Sequence, residues 1–324
     1  MALNAPTPLI AAPGPWTPPE GVTNHAGGPV APDALFFEPP PPEIGTPVSA
    51  HSTVTATKTG RTKGFRLGLA LFTGALVGVT ADWAYERVFT DQAPTAMIGW
   101  PWLAAGAIIG ALTFVLTASH PTVTYTGTHG VAKIRRRGGL GGAPEADIFP
   151  FSEASELRTS QTRQYYNGVY TGTAYHFTWS NFAGGTRFRL HGSYRDKSGW
   201  PKDKDPFHFA LAAERAWTNH LASQIQTELQ SQGHVQFNLI KNQWIRLGPG
   251  FIEIFLGKEA ERLTVDDIKE LTVNSGTFII RDREARRFSR QGVFKFSYVN
   301  LANAKMFLIA LDHFLGYRFE NPPS

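Results

Sequence analysis

Two long apolar stretches, Leu67 to Ala81 and Ala93 to Ser119, dominate the hydropathy pattern of the chain. An α-helix rises about 1.5 Å per residue, so roughly 20 residues are needed to cross a 30 Å hydrocarbon core. Both stretches reach that length with their flanking residues. The pattern therefore predicts a transmembrane helical hairpin within residues 65–119, with helices over about 65–86 and 96–119.

Basic residues flank this predicted hairpin on both sides. They are Lys58, Arg61, Lys63 and Arg66 before it, and Lys133, Arg135, Arg136 and Arg137 after it. Cytoplasmic flanks of membrane helices carry an excess of Lys and Arg. Both chain ends are therefore predicted to be cytoplasmic, in a protein integral to the cytoplasmic (inner) membrane. The richness in Ala, Gly and Pro favours a bacterial origin.

Small residues recur at helical spacing in both apolar stretches. They are Gly74, Gly78, Gly106 and Gly110. Glycines four positions apart let two helix backbones approach closely. If the helices run antiparallel about a short outer turn, the two glycine pairs come to the same depth. These residues are therefore predicted to form the contact between the two helices.

Asp82 continues the first glycine stripe by one more turn. An acidic side chain in a membrane helix is a candidate functional residue, because burying it in lipid is costly. The alternative is an interfacial side chain that reaches water or Arg87. Asp82 is thus a candidate intramembrane polar site.

The first 60 residues differ from the rest of the chain in composition. Residues 1–56 hold 13 of the 23 prolines and four acidic residues, but no Lys or Arg. Such a segment has few long apolar runs to bury, which predicts a disordered Pro-rich cytosolic arm. The alternative is a proline-motif ligand for an aromatic groove, which is supported by Trp16 in the sequence PWTPPE and by the pair Phe36 and Phe37 before the prolines.

Short alternating segments follow Pro121 and predict two sets of antiparallel strands. Each set is followed by an amphipathic helix. Asp205 and Pro206 are expected to begin the first helix, which ends near Gly233. The second is expected from about Leu301 to Leu315.

Two consecutive units of six or seven strands and one helix resemble the pleckstrin-homology-like (PH-like) superfold, and the layout is similar to that of bacterial membrane proteins with tandem PH-like domains. The resemblance implies an α+β membrane protein, in which the transmembrane hairpin precedes two modules, each a bent antiparallel sheet with a C-terminal helix. The predicted boundaries are 121–232, 233–318 and a tail of 319–324. One larger β-barrel or sandwich with peripheral helices is the alternative.

Two basic clusters are candidate binding surfaces. In lipid-binding proteins of this superfold, the first hairpin grips head-group phosphates with a Lys-x-basic pattern, which implies such a role for Lys133, Arg135, Arg136 and Arg137. The alternative is that these cations only fix the membrane orientation. The second cluster is a candidate contact for an acidic partner and consists of Arg281, Arg283, Arg286, Arg287 and Arg290. The alternative is a solvated hairpin tip, since Asp282 and Glu284 lie among these arginines.

The sequence contains no recognisable catalytic motif. The chain has no cysteine, which excludes disulfides and thiolate metal sites. It also lacks a Walker loop, an HExxH helix, a GxSxG elbow and a dinucleotide fingerprint. We therefore expect no catalytic residue, no cofactor and no metal. Neither basic cluster alternates with aromatic residues, so nucleic acid is not an expected partner.

Two further features have a structural and a functional interpretation. His176 and His191 fall on neighbouring predicted strands, where a histidine pair is usually structural. Tyr165 and Tyr166 precede Asn167-Gly168. They are expected either to pack at the rim of a core or to form an exposed aromatic binding loop.

These observations favour a membrane-anchored, non-catalytic binding or scaffolding protein. Its partner would be an unidentified protein or an anionic lipid surface. The alternative is an accessory or regulatory subunit of a transport or channel assembly, in which Asp82 is functional. An enzyme of unrecognised type is the third possibility.

Overall fold

The structure is a computed structural model, and it describes most of the chain. The described residues are 16–55, 63–89, 100–116, 120–137, 142–181, 184–196, 201–285 and 292–317. They form four α-helices and four antiparallel sheets.

The first sheet takes its edge strand from the N-terminal segment. Its strands lie in the order β1-β2-β3-β4. The chain order is β1 (Pro47–Ser52), α1 (Lys63–Phe89), α2 (Trp100–Leu116), β2 (Thr122–Gly127), β3 (Gly130–Arg136) and β4 (Pro144–Pro150). Since Ser52 pairs with Val123, both helices are inserted between two hydrogen-bonded strands.

A three-stranded sheet and a long helix complete the first unit. They are β5 (Glu156–Tyr166), β6 (Val169–Ser180), β7 (Thr186–Tyr194) and α3 (Pro206–Gln232). The predicted ends of α3 are confirmed. The Asp205 side chain accepts a hydrogen bond from the Phe207 amide at the start, and Gly233 takes the left-handed conformation at the end.

The second unit repeats the same order of elements. Its four-stranded sheet consists of β8 (Val235–Asn238), β9 (Trp244–Gly248), β10 (Phe251–Phe255) and β11 (Ala260–Thr264). Its three-stranded sheet consists of β12 (Ile268–Asn274), β13 (Thr277–Asp282) and β14 (Val293–Ser297), and α4 (Ala304–Leu315) follows. A four-stranded sheet, a three-stranded sheet and a helix therefore occur twice.

One continuous cluster of buried apolar side chains runs through both units. It includes Trp179, Phe207 and Trp217 from the first unit, and Phe278 and Phe307 from the second. A smaller cluster lies on the other face of the first sheet. The first sheet is therefore covered on both faces, by α3 and the main core on one side and by the N-terminal segment on the other.

The predicted fold class is wrong in two respects. Each unit contains two separate sheets and not one bent sheet, and the two helices do not both qualify as membrane spans. Among the described residues, only α1 contains a segment long and apolar enough to cross a membrane, over Gly64–Tyr85. Helix α2 has 17 residues, about 26 Å, which is short of a 30 Å core. The structure therefore does not show a two-helix transmembrane hairpin followed by two PH-like modules.

The predicted disorder of the N-terminal arm is also wrong for residues 16–55. Aromatic and aliphatic side chains between the prolines supply the apolar surface that orders this segment, and Phe36 and Ile44 are fully buried. Proline has no amide hydrogen, so a Pro-rich segment can pack without a regular ladder of hydrogen bonds. The first sheet begins inside the segment that was predicted to be disordered.

Candidate functional site

Helices α1 and α2 pack in an antiparallel pair along their glycines. A methyl group added to Gly74 would lie 2.6 Å from the Gly106 carbonyl oxygen, and one added to Gly110 would lie 2.8 Å from that of Ala70. Gly78 faces the carbonyl of Trp102. The four predicted glycines thus meet at the helix contact. Along the axis of the helix pair, Gly74 lies between Gly106 and Gly110, so the glycines of the two helices are staggered and not level with each other.

The helix pair exposes apolar side chains on most of its outer surface. Among the residues of α1 whose side chains the structure describes, the buried ones form one stripe, Ala70, Gly74, Gly78 and Asp82. The exposed large residues are Phe65, Leu67, Leu71, Phe72, Leu76, Val79, Trp83, Tyr85 and Val88 on α1, and Leu103, Ile108, Leu112 and Val115 on α2. Soluble monomeric proteins rarely expose a contiguous apolar surface of this extent, so the surface marks a contact with a membrane or another protein.

Polar groups lie at both ends of the helix contact. Near its start, the Arg66 guanidinium donates to the Phe114 carbonyl in the last turn of α2, at 2.5 Å. Near the other end, Asp82 is 8% exposed on the face that meets α2. Arg87 lies over the Trp83 ring at 5.0 Å. The structure thus places Asp82 at the helix contact and Arg87 on an aromatic ring.

Both ends of the helical insertion meet at one end of the first sheet. The Thr53 amide donates to the Thr122 carbonyl at 3.0 Å, and the Thr122 amide donates to the Thr53 hydroxyl at 2.9 Å. Arg135 pairs with Thr122 in the adjacent strand and therefore lies at this same end. Of the basic residues before the helices, Lys58 and Arg61 lie outside the described residues.

The first basic cluster is divided between two faces of the sheet. Alternation along β3 places Lys133 and Arg135 on the face of the main core, and Arg136 on the face of the N-terminal segment. Arg136 forms an ion pair with Glu38 at 2.5 Å and lies over the Phe37 ring. Arg137 pairs with Glu145 at 3.0 Å.

The environment of Lys133 weakens its case as a head-group ligand. Burial lowers its pKa and neighbouring Arg135 lowers it further, whereas Asp147 acts in the opposite direction. The structure therefore does not bring the four cations together. Arg135 is exposed, and it lies next to the helical insertion because it pairs with Thr122.

The second basic cluster is described only in part. Arg281 pairs with Glu270 at 3.1 Å across β12 and β13. The backbone amide of Arg283 donates to the Asp267 carbonyl at 2.8 Å. Arg286, Arg287 and Arg290 lie outside the described residues.

The N-terminal segment is attached to the first sheet by a set of contacts that sequence analysis missed. The Tyr125 hydroxyl donates to the Glu38 carbonyl, and burial raises the pKa of Tyr125. Trp16 packs edge-on against Phe36 and Tyr125, with ring centroids 5.1 and 5.3 Å away. The aromatic residues between the prolines were the available signal for this contact.

His25 attaches the same segment to the opposite face of the sheet. Its ring nitrogens lie 2.8 Å from the Ser49 hydroxyl and 2.9 Å from the Thr124 hydroxyl. The Arg215 guanidinium of α3 donates to the His25 carbonyl at 2.8 Å. Burial, together with the neighbouring His51 and Arg215, lowers the pKa of His25 from 6.5 to about 3. A neutral imidazole therefore joins the N-terminal segment, the first sheet and α3.

A narrow crevice lies where α3, β5 and the start of α4 meet. Asn303 spans it, since its side-chain oxygen accepts from the Leu157 amide and the Trp217 indole, both at 2.9 Å. Burial raises the pKa of Glu214 in the crevice wall, an effect that Lys305 and Arg215 oppose. The crevice is thus a junction between the two units, held by the hydrogen bonds of Asn303.

The structure offers no cluster of metal ligands within the described residues: no group of three or more His, Cys, Asp or Glu side chains is suited to a metal ion. His176 and His191 lie opposite each other on β6 and β7, with parallel rings 6.1 Å apart. Both are exposed, so neither is a core histidine.

The candidate functional surfaces are therefore the apolar helix pair, the basic end of the first sheet and the exposed face of β5 to β7. The helix pair is the most extensive of them. No protein-family model matches the chain, and no curated protein sequence matches it.

Proposed function

We propose that the protein is a membrane-anchored, non-catalytic binding protein that holds its two folded units at the cytoplasmic face of a membrane. The observation that carries the proposal is the apolar surface of α1. Only 11% of the most apolar 18-residue stretch of α1 is buried, whereas the core helix of a soluble domain is mostly buried. Leaving this surface in water forfeits the free energy of apolar burial, about 25 cal/mol per Å².

The sheet pairing supports a single-sided arrangement of the folded units. Strand β1 precedes the helices and β2 follows them, yet the two strands are hydrogen-bonded to each other. The segments before α1 and after α2 therefore lie together, on one side of a membrane that α1 enters. Arg66 and Arg135 lie near these segments, and basic flanks favour the cytoplasmic side.

Binding is proposed in preference to catalysis because the candidate sites are surfaces. The crevice at the unit junction is spanned by Asn303, whose hydrogen bonds are made to backbone and indole groups of the protein itself. The exposed surfaces combine cations with hydroxyl groups and suit an anionic lipid surface or a partner protein. The protein would then act by positioning that partner at the membrane.

Membrane fractionation tests the anchoring. Leu76 is 52% exposed near the middle of α1, and Ile309 is 50% exposed on α4. An arginine at the centre of a membrane helix costs about 3 kcal/mol. We expect Leu76→Arg to move the protein from carbonate-resistant membranes to the soluble or aggregated fraction, and Ile309→Arg to leave it in membranes. Release of the unaltered protein by carbonate would contradict the proposal.

A second candidate function follows from the burial of Asp82 at the helix contact. In an accessory or regulatory subunit of a transport assembly, this carboxyl group would contribute to ion or proton movement. Asp82→Asn keeps the shape of the side chain and removes its charge. Loss of transport activity in membranes that retain the variant would favour this function, whereas unchanged activity and partner binding would favour the binding protein.

A further inference from the structure

The β5-β6 hairpin projects beyond the rest of its sheet. Strand β7 pairs with β6 as far as Thr173, opposite Tyr194. The pairing of β5 with β6 continues to Tyr166, opposite Val169. All residues from 162 to 169 are exposed. The hairpin therefore has a convex end that no other described strand of this sheet covers.

Large apolar and aromatic side chains occupy this end. Tyr165 is 60% exposed, Tyr166 is 72% exposed and Val169 is 62% exposed. Asn167 and Gly168 form the turn with φ of 48° and 77°, the left-handed values of a type I′ turn. This turn joins two paired strands, so the three side chains lie at the end of a regular hairpin. We call Tyr165, Tyr166 and Val169 the hairpin tip.

The turn itself does not require these side chains. The β12-β13 hairpin has a turn of the same kind, with Ser275 at φ 47° and Gly276 at φ 73°. Its flanking residues are Asn274 and Thr277, which are polar. Tyr165 packs edge-on against Tyr170, with centroids 5.9 Å apart, but this contact leaves Tyr166 and Val169 exposed.

The sheet behind the hairpin tip carries a single acidic residue, Glu156 at the start of β5. Residues 157–195 contain no Asp or Glu. They contain the arginines Arg158, Arg163, Arg187, Arg189 and Arg195. Within the described part of the chain, Arg158 is the one of these five that is ion-paired, with Glu156 at 2.8 Å. The other sheets are balanced, as the pairs of Arg246 with Glu253 and Arg281 with Glu270 show.

We propose that the hairpin tip enters the interface of an anionic membrane, with the arginines of β5 and β7 against the lipid head groups. This inference rests on the proposed anchoring, which keeps the sheet within reach of a leaflet. Tyrosine is suited to the boundary between head groups and acyl chains, since its ring is apolar and its hydroxyl is polar. Arginine near an anionic leaflet adds electrostatic attraction.

The shape of the tip favours lipid over the other polyanions. A convex end with apolar side chains has no groove for a peptide, whereas a fluid lipid surface closes around it. A stacking platform for nucleic acid requires aromatic rings within the cationic surface. Here, the positions between the arginines on the outer face of the sheet carry no Phe, Tyr or Trp. They include the half-buried Ser160 and Thr178 and the exposed His191.

Site-directed fluorescence on the full chain tests the contact, and the absence of cysteine makes single labels unique. A fluorophore is attached to Val169→Cys or, as the matched control, to Ser275→Cys in the other turn. The protein is reconstituted in phosphatidylcholine with phosphatidylglycerol in equal parts, or in phosphatidylcholine alone. Nitroxide-labelled lipids serve as the quencher.

We expect strong quenching at position 169 in the anionic bilayer and little at 275. Quenching at 169 should fall to the control level in the double variant Tyr165→Ser, Tyr166→Ser, and should weaken with Arg163→Gln or without phosphatidylglycerol. Circular dichroism checks that the variants are folded. Equal quenching at the two positions would overturn the inference. The inference would also be overturned if the label at 169 stayed in water in the presence of anionic lipid but left the water when an RNA oligonucleotide was added.

The two proposals fail in different ways. Resistance to carbonate extraction without quenching at position 169 would support the membrane anchor and contradict the tip contact. Release by carbonate, with quenching of the label by added anionic vesicles, would contradict the anchor and support the tip contact.

Discussion

His25 shows how one side chain can join three parts of a fold. It lies in the N-terminal segment, its ring bonds to Ser49 of β1 and Thr124 of β2, and its carbonyl accepts from Arg215 of α3. Arg215, His51 and His208 all disfavour a positive charge on the ring. The neutral imidazole is therefore the form that fits the folded state.

The pKa of His25 predicts how stability changes with pH. The pKa is lowered to about 3 in the folded protein, below the usual 6.5. The unfolded chain therefore binds a proton that the folded chain does not, and stability is present above pH 6.5 and lost as the pH falls toward 3. The loss approaches about 1.4 kcal/mol per pH unit.

Thermal unfolding at pH 7.5 and 5.5 measures this effect. His25→Gln should unfold at a lower temperature than the unaltered protein at pH 7.5, because hydrogen bonds are lost, but it should lose less stability on acidification. His313→Gln, at an exposed position of α4, is the control and should behave like the unaltered protein. The same pH dependence in both variants would contradict this role for His25.

Individual contacts were only partly predictable from the sequence. The Asp205 cap depends on neighbouring residues and was correctly identified. The ion pair of Arg136 with Glu38 joins residues 98 positions apart. No local pattern encodes such a pair. The four cations from Lys133 to Arg137 were therefore taken as one cluster, although alternation along β3 divides the three that it carries between two faces.

At the scale of elements, the contact between α1 and α2 depends on glycines, which have no side chain to separate the backbones. The backbones approach closely where Gly74 meets Gly106 and Gly110. Close approach allows extensive van der Waals contact, which is the main attraction between helices when the surrounding medium is apolar. A side chain at the contact should therefore separate the helices.

Two glycines of α1 provide a matched test. Gly74→Ala places a methyl group 2.6 Å from the Gly106 carbonyl oxygen, whereas nothing lies within 4 Å of one at Gly68. We expect Gly74→Ala to destabilise the protein by about 1 to 3 kcal/mol through overpacking. Gly68→Ala should be neutral or slightly stabilising, because alanine favours the helix. Unfolding in detergent measures both, and equal effects would argue against close packing at Gly74.

Elements differed in how far the sequence revealed them. Both C-terminal helices were predicted because each carries an apolar stripe and a glycine stop. Strand β4 was missed because its first residues are exposed, so it shows no alternation. Strand β1 was missed because the surrounding prolines outweighed its own pattern. The second apolar stretch was long enough for a membrane helix, yet the described helix covers only Trp100–Leu116.

At the scale of the whole molecule, the N-terminal segment acts as a second layer on the first sheet. Phe36 and Ile44 close a cluster with Tyr125 and Ile134 that is separate from the main core. Without this layer, one face of the sheet would expose its apolar side chains. The first unit therefore depends on residues that precede both helices.

Neighbouring residues of this layer allow a direct comparison. Phe36 is 2% exposed and Leu35 is 38% exposed. Phe36→Ala should lower the free energy of unfolding by about 3 to 5 kcal/mol, because it leaves a cavity in the small cluster. Leu35→Ala should cost clearly less. Denaturant titration measures both, and a similar small loss in each would show that the segment adds little to stability.

The pairing of β1 with β2 also constrains the order in which the molecule can be made. Ser52 leaves the ribosome about 70 residues before its partner Val123. During that interval β1 has no neighbouring strand from β2, and α1 and α2 are both synthesised. The helices must therefore reach their final location before β1 and β2 can pair. Any delay in that step leaves β1 and the N-terminal segment exposed to proteases and aggregation.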